Sequence, residues 1–383
     1  MSYQAFRIPN NILFGEGAFE YLGTLKGERA VIVTGGSSMK RLGFLDKAKE
    51  ILEKAGMEVE IIEGVEPNPS IGTVNRGAEK MRQFKPDWII ALGGGSALDA
   101  AKIMWVFYEY PELKFEDILE INSIPTLRKK AQFVAIPSTS GTASEITAAS
   151  VITDTKKHIK YPIISQEIIP DIAIVDPALP AKMPPHITAN TGMDVLTHAI
   201  ESYVSTGANS YTSPLAMEAI KLVFEYLPRA YKDGNDMEAR YHMHNASTIA
   251  GMAFNNSFLG LVHSLAHKIG GMFGITHGLA NAILLPYICK YNMKNTDRYA
   301  EIEKVLGVSD LVETLKEFNR KLDIPLNFAA LEEVQREKFE EVLSKMSENA
   351  YKDPCTLTNP RPTSPEDIEK IYRYAFEGKD IDF

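Results

Sequence analysis

Cysteine is almost missing from this chain: Cys289 and Cys355 are the only two in 383 residues. They form neither a Cys-x-x-Cys clip nor a disulfide framework, and usage this sparse fits a reducing cytoplasm, the expected location. Long apolar runs are lacking too. No stretch reaches the roughly 18 residues that a spanning helix needs, and the opening Met1-Ser-Tyr-Gln-Ala-Phe-Arg7 has no apolar secretory core, so no membrane partner is expected. Positive charge is in deficit, with 41 Lys and Arg against 50 Asp and Glu for a net charge of −9. Without a long basic run, nucleic acid and anionic membrane make poor partners. Internal repeats and low-complexity segments are absent as well. What remains is 45% hydrophobic and 24% charged, an ordinary globular composition, on a chain long enough for two domains with substantial cores.

Strands and helices alternate through the first half. Ile12-Leu13-Phe14 leads into Gly15-Glu-Gly17, which imitates a dinucleotide fingerprint but is discounted, because the next glycine, Gly23, comes too late. Arg29–Thr34 is an apolar run ending in Gly35-Gly36-Ser37-Ser38, with a helical pattern over 42–55. Val59–Ile62 reads as the next strand, and Ser70 after Pro67-Asn68-Pro69 is placed to cap a helix. Trp88–Leu92 enters Gly93-Gly94-Gly95-Ser96, and Phe133–Ile136 enters Pro137-Ser138-Thr139-Ser140-Gly141-Thr142. Such alternation implies a mainly parallel sheet covered on both faces. After Ile172–Asp176 it fades into helical patterns over 190–204, 211–230, 236–252, 258–270, 278–291, 309–322, 336–349 and 365–376. The expected domains are therefore 1–182, α/β and dinucleotide-binding, and 183–383, helical and metal- and substrate-binding.

Three glycines and a serine directly after a strand expose backbone N–H groups at a helix start, where the helix dipole favours a diphosphate. The 138–142 turn adds hydroxyls after another strand, and two such turns in one parallel-sheet domain point to a nucleotide. At Gly35, Gly36, Ser37 and Ser38 the turn has no carboxylate to accept from an adenosine ribose, while Ser37, Ser38, Lys40 and Arg41 supply donors, which favours NADP(H) over NAD(H). The competing reading is a polar turn whose two cations face solvent.

Four of the eight histidines and one carboxylate crowd into two apolar segments, Thr191–His198 and Gly260–Asn281. A lone histidine on an apolar helix is usually a hydrogen-bonded core residue, but grouping changes the balance: imidazoles and a carboxylate suit a borderline divalent metal. Asp194 and His198, four apart, share one helix face and can offer adjacent ligands. His263 and His277 are fourteen apart, roughly 21 Å on one straight helix, so the glycines at 270, 271 and 274 are expected to break it and turn His277 back. His267 sits one turn after His263, and spacing alone leaves open which of the two binds. His158, His186, His242 and His244 read as surface or packing residues.

Together these pieces resemble the iron-containing, or group III, alcohol dehydrogenases over nearly the whole chain. The resemblance is carried by Gly93-Gly-Gly-Ser-Ala-Leu-Asp-Ala-Ala-Lys102, Pro137-Ser-Thr-Ser-Gly-Thr-Ala-Ser-Glu-Ile-Thr147, Thr191-Gly-Met-Asp-Val-Leu-Thr-His-Ala-Ile-Glu201, the stretch from His263 to Pro286, and Asn359-Pro-Arg-Pro-Thr363. It implies the α/β fold of this family and of dehydroquinate synthase: a Rossmann-like parallel-sheet domain followed by an all-helical metal-binding domain. It makes Asp194, His198, His263 and His277 the metal ligands and His267 a proton relay. Gly94, Gly95, Ser96 and Asp99 would hold the diphosphate, and Asn68, Ser138, Thr139, Thr142, Thr147, Lys160 and Leu179 would line the rest of the cofactor cleft. Gly35 stands where many members have aspartate, which is similar to the NADPH-using butanol dehydrogenase and aldehyde reductase branch. The resemblance further implies Fe²⁺, with Zn²⁺ a substitute, a short-chain primary alcohol or aldehyde as substrate, and a homodimer. Phe254, Phe258, Phe273 and Tyr287 are candidates for the substrate pocket wall. The rival readings are a polyol dehydrogenase using zinc and NAD, a dehydroquinate synthase-like lyase, and a non-catalytic nucleotide- or metal-binding protein.

Overall fold

The computed structural model describes residues 5–157 and 159–383; His158 lies outside them. Arg7–Lys182 and Met183–Phe383 form two compact units, and Phe6 belongs with the second, its ring against Tyr211. In the first unit the order is β1 Asn11–Phe14, β2 Arg29–Thr34, α1 Ser38–Arg41, α2 Phe44–Lys54, β3 Glu58–Ile62, α3 Ile71–Phe84, β4 Trp88–Gly93, α4 Gly95–Glu109, β5 Gln132–Pro137, β6 Ala149–Asp154, β7 Ile159–Ile164 and β8 Ile172–Val175.

Six of these strands make one sheet in the order β1-β8-β5-β4-β2-β3, every pairing parallel. Successive side chains of a strand point to opposite faces, and here they feed two separate cores. Val31, Val33, Ile89, Ala91, Phe133 and Ala135 pack with α3 and α4, while Ala30, Ile32, Ile90, Leu92, Val134 and Ile136 pack with α2 and Phe19. The inner strands β2, β4, β5 and β8 therefore read as continuous apolar runs, because neither face meets water, whereas the edge strands β1 and β3 are partly exposed. Consecutive strands β2 and β3 lie to one side of β4, and β5 and β8 to the other. The chain thus reverses direction across the sheet between β2 and β4, and the crevice at the carboxyl ends of such strands is where ligands of this architecture bind.

The sequence reading passes over β6 and β7, an antiparallel hairpin packed on α4. Pro162 within β7 and the partly exposed pattern of both strands hide the usual alternation. Ser70 caps α3 as expected, its hydroxyl accepting from Thr73 N–H at 3.2 Å.

The second unit holds α5 Pro185–Val204, α6 Thr212–Lys232, α7 Met237–Ser257, α8 Leu261–Phe273, α9 His277–Asn292, α10 Arg298–Leu306, α11 Leu311–Lys321, α12 Arg336–Tyr351 and α13 Pro365–Glu377 around one core. Eight of these match the expected patterns; α10 was not foreseen, since nine residues with two buried side chains, Tyr299 and Ile302, carry too short a stripe. At the surface, α11 shows the amphipathic spacing, burying Leu311, Leu315 and Phe318. By contrast, α5 is buried on nearly every side from Gly192 to Val204, so its polar residues must find partners inside the protein. No helix among the described residues is long and apolar enough to cross a membrane.

Candidate active site

Polar residues on α5, α8 and α9 meet in the interior. Asp194 Oδ1 is the common point: His277 Nε2 lies 3.5 Å from it, His263 Nε2 3.6 Å and His198 Nε2 3.9 Å. Asp194, His263 and His277 each place a ligand atom within 4.8 Å of the others, with His198 just beyond that group and stacked on His263, ring centroids 4.5 Å apart. Donors around a tetrahedral ion with bonds of about 2.0–2.1 Å are separated by about 3.3–3.4 Å. The distances of His263 and His277 from Asp194 Oδ1 exceed that spacing by a few tenths of an ångström, and His198 would have to move further to share a cation with them.

The turn between α8 and α9 differs from the sequence expectation. Gly270 and Gly271 stay inside α8, where glycine is tolerated at a cost of about 1 kcal/mol. The helix ends only at Gly274, in the left-handed conformation at φ 71°, and α9 starts at His277 itself. Its second residue, Gly278, is what lets α9 approach α5: a Cβ there would stand 2.0 Å from the Asn190 carbonyl oxygen.

Electrostatics follow from this geometry. Burial works to raise the Asp194 carboxyl, but the surrounding imidazoles outweigh it and hold the group far below the usual carboxylate range. Burial likewise works against a charged His263, yet the Asp194 and Glu201 carboxylates on either side of the ring carry it up to about 9. Exposure is asymmetric: the Asp194, His198 and His263 side chains are at most 6% exposed, whereas His277 is 39% and His267 36% exposed. A small molecule has access from the His267–His277 side.

Three contributors escaped the sequence reading. Glu201 accepts from His263 Nδ1 at 2.6 Å, and Asn281 Nδ2 donates to Asp194 Oδ1 at 2.7 Å. A signal existed for both, since Glu201 continues the 194/198 stripe and Asn281 lies one turn after His277. Asp353 gave none, being 86 residues from His267, whose Nδ1 it meets at 3.0 Å. His267, Asp353 and Cys355 also cluster with metal-ligand spacing, but Asp353 already binds the Lys268 ammonium at 2.7 Å, so its charge is met without an ion. His267 stacks on His277, centroids 5.4 Å apart, and stands beside the fourfold group without joining it.

Of the pocket candidates, Phe254 stacks on His198 at 4.3 Å, while Phe258 is exposed. Tyr287 is buried in the helical core with its hydroxyl on the Leu326 carbonyl at 2.7 Å. Phe273 is partly buried against the helical core. Among the other histidines, His186 is exposed, His242 stacks on Tyr226 and His244 is buried.

In the sheet unit the glycine-rich turns lie side by side, because β2 pairs with β4 up to Thr34 and Leu92, and β4 with β5 up to Gly93 and Pro137. Gly94 precedes the first turn of α4, and a Cβ on Gly95 would stand 2.9 Å from Thr142. Close packing of the two turns thus explains one glycine, while the first N–H groups of a fifteen-residue helix remain the natural place for an anion. Asn68 N–H donates to Ser96 Oγ at 3.4 Å, joining another pair of the expected residues. Ser138, Thr139, Thr142 and Thr147 all fall in the segment after β5, whereas Lys160 is exposed on β7. Leu179 is 2% exposed and packs in the sheet core. Asp99 is committed within the unit: its carboxylate accepts from Ser144 Oγ at 2.7 Å and from Val151 N–H at 2.9 Å. Gly35, Gly36, Ser37 and Ser38 lead into α1, and Lys40 pairs at 3.3 Å with Glu63, a carboxylate that follows β3 and that the turn's own sequence does not disclose.

Comparison with known proteins identifies the family. Residues 9–177 match the family described as iron-containing alcohol dehydrogenase, and residues 188–376 match the C-terminal part of the Fe-containing alcohol dehydrogenase family. The chain is 50% identical to an NADPH-dependent butanol dehydrogenase of Clostridium saccharobutylicum, over 99% of each chain, and 43% identical to an alcohol dehydrogenase of Thermococcus barophilus, over 97% of this chain and 99% of that one. Among solved structures it is similar to an iron-containing alcohol dehydrogenase of Thermococcus thioreducens, with a TM-score of 0.91 at 40% identity over 98% of this chain and 100% of that one. With both halves matched and an entire relative aligned at half identity, the chain belongs to the iron-containing alcohol dehydrogenase family.

Proposed function

We propose that this chain interconverts short-chain aldehydes and primary alcohols such as butanal and butanol, with NADP(H) favoured over NAD(H). The single observation that carries the reading is the meeting of three imidazole nitrogens around one carboxylate oxygen, at 3.5 to 3.9 Å. Asp194, His198, His263 and His277 would hold a divalent ion, Fe²⁺ with Zn²⁺ as a substitute. A bound ion would supply Lewis-acid polarisation of the aldehyde oxygen, and the nicotinamide the hydride.

The chain's own residues do the rest. Asp353 holds His267 at Nδ1, which leaves Nε2 to exchange a proton with the substrate oxygen. Phe254 braces the His198 ring. The Gly94-Gly95-Ser96 turn would take the diphosphate, with Asp99 in the next turn of α4 tying that helix to Ser144 and Val151. Asn68, Ser138, Thr139, Thr142, Thr147, Lys160 and Leu179 would border the nucleotide, and Gly35, Gly36, Ser37 and Ser38 its adenosine end. On this reading residues 1–182 are the dinucleotide domain and 183–383 the metal and substrate domain, working as a cytoplasmic homodimer. Similarity to the NADPH-dependent butanol dehydrogenase supports the substrate and cofactor choice.

The test is aldehyde reduction after Fe²⁺ reconstitution, run in parallel with NADPH and NADH. One charge-assisted contact to a 2′-phosphate is worth about 1.5–3 kcal/mol, so kcat/KM should favour NADPH by about tenfold or more. Equal values, or a preference for NADH, would remove the NADP(H) assignment. Similarity to a 1,3-propanediol oxidoreductase, with a TM-score of 0.91 at 35% identity over 98% of this chain and 100% of that one, supports a diol dehydrogenase as second reading; a diol arm with Zn²⁺ and NAD⁺ separates the two.

A further inference from the structure

Two buried polar side chains touch the ligand group without being part of it. Glu201, 4% exposed, lies on the Asp194–His198 stripe of α5, and Asn281, wholly buried, lies one turn into α9 after His277. Glu201 Oε2 accepts from His263 Nδ1 at 2.6 Å, and Oε1 accepts from the Val262 backbone N–H at 2.6 Å. Asn281 Nδ2 lies 2.7 Å from Asp194 Oδ1, 3.3 Å from His263 Nε2 and 3.2 Å from His277 Nε2. It therefore faces three of the four ligand atoms at once.

A neutral imidazole carries one N–H. With a carboxylate against Nδ1 the proton stays there, and the Nε2 lone pair is left facing Asp194, 3.6 Å away. Asn281 acts on the other side of the pair. Its donated hydrogen bond fixes the rotation of the Asp194 carboxylate about which all three imidazoles gather.

We propose that Glu201 and Asn281 are positioning residues of the metal centre: Glu201 holds His263 as the Nδ1–H tautomer, Asn281 holds the Asp194 carboxylate, and together they set the affinity for a divalent ion. This rests on the reading of Asp194, His198, His263 and His277 as ligands. A merely structural role, with Glu201 as the N-terminal cap of α8 and Asn281 as a core amide, would alter melting temperature and leave metal affinity alone.

Substitution separates the two. In Glu201→Gln the side-chain oxygen still accepts from Val262 N–H, but its amide donates to His263 Nδ1 and drives the ring proton to Nε2, closing the ligand lone pair. Asn281→Leu keeps the volume and removes the donor. Metal-free full-length protein is titrated with Co²⁺ against a competing chelator, the visible absorption of the bound ion is recorded, and the metal-free melt is measured alongside. Each variant should bind Co²⁺ about 10- to 100-fold more weakly than the unaltered chain, with an altered visible band. Should Glu201→Gln not fold, Glu201→Asp, whose shorter carboxylate withdraws from Nδ1, is measured in its place with the same expected loss. Unchanged affinity and spectrum in the variants would overturn the positioning roles. A different result, in which the unaltered chain binds no Co²⁺ or His263→Ala binds it equally well, would instead remove the ligand reading beneath them.

Discussion

Lys102 is a charge placed where charge is costly. It is fully buried, and its ammonium donates to the Thr147 carbonyl at 2.8 Å, the Ala149 carbonyl at 2.9 Å and the Thr147 hydroxyl at 3.3 Å. Burial pushes it down from 10.5 to about 8, against the opposing pull of Asp99 and Glu145. Between those values the unfolded chain holds more of this proton than the folded one, so stability rises with pH through the window from 8 to 10.5. Relative to Lys102→Met, the native chain should gain up to about 3 kcal/mol across it, read from denaturant midpoints at several pH values. A difference that stays flat would show that the buried ammonium is fully compensated by its three acceptors. For His267 the expected outcome is kinetic. His267→Ala should lower turnover by about 10²- to 10⁴-fold while the bound metal, measured by elemental analysis, stays at the native level. The histidines and Asp194 were legible as residue types in apolar surroundings; Asp353 was not, because a partner brought in by the tertiary fold leaves no periodic trace.

At the level of elements, helix packing fixes the distances at the site. A Cβ on Gly278 would press directly on backbone, the Asn190 carbonyl, and α9 would have to retreat from α5 carrying His277 with it. A Cβ on Gly192 would also meet a neighbour, Leu227 Cδ1 at 2.3 Å, but that is the flexible end of a side chain on α6. Gly278→Ala should therefore cost about 1–3 kcal/mol and reduce metal occupancy, whereas Gly192→Ala should lower the melting temperature without affecting metal content. Loss of metal in both, or in neither, would show that α5–α9 spacing does not control the centre. Long helices and buried strands were readable because their period or their unbroken apolarity is strong. The β6–β7 hairpin and α10 were not, since one contains a proline and the other offers two core residues. Gly270 and Gly271 misled for a plain reason: a glycine permits a break without requiring one.

For the molecule as a whole, the alternation of strands and helices was enough to foresee a parallel sheet, and its fading was enough to foresee a helical unit. Strand order was not foreseen, and it is the order that sets the turns after β2, β4 and β5 in one row. Removing the metal should show how far the helical unit depends on it. Chelation should abolish aldehyde reduction and Fe²⁺ should restore it, with free ion at a hundred times Kd stabilising the folded chain by about 2.7 kcal/mol, seen as a rise in melting temperature. Activity that survives chelation would leave the histidine group without a catalytic metal.

Asp194, His198 and Glu201 occupy successive turns of one continuous helix, and that has a consequence for how such a chain can vary. A single residue inserted between 194 and 201 would rotate everything beyond it by about 100°, swinging the Glu201 carboxylate away from His263. Length changes are thus barred from this stretch of α5, while side chains on its margins remain free to change. Diversification of substrate range has to be written in the loops and in the walls, around an interval whose residue count is fixed.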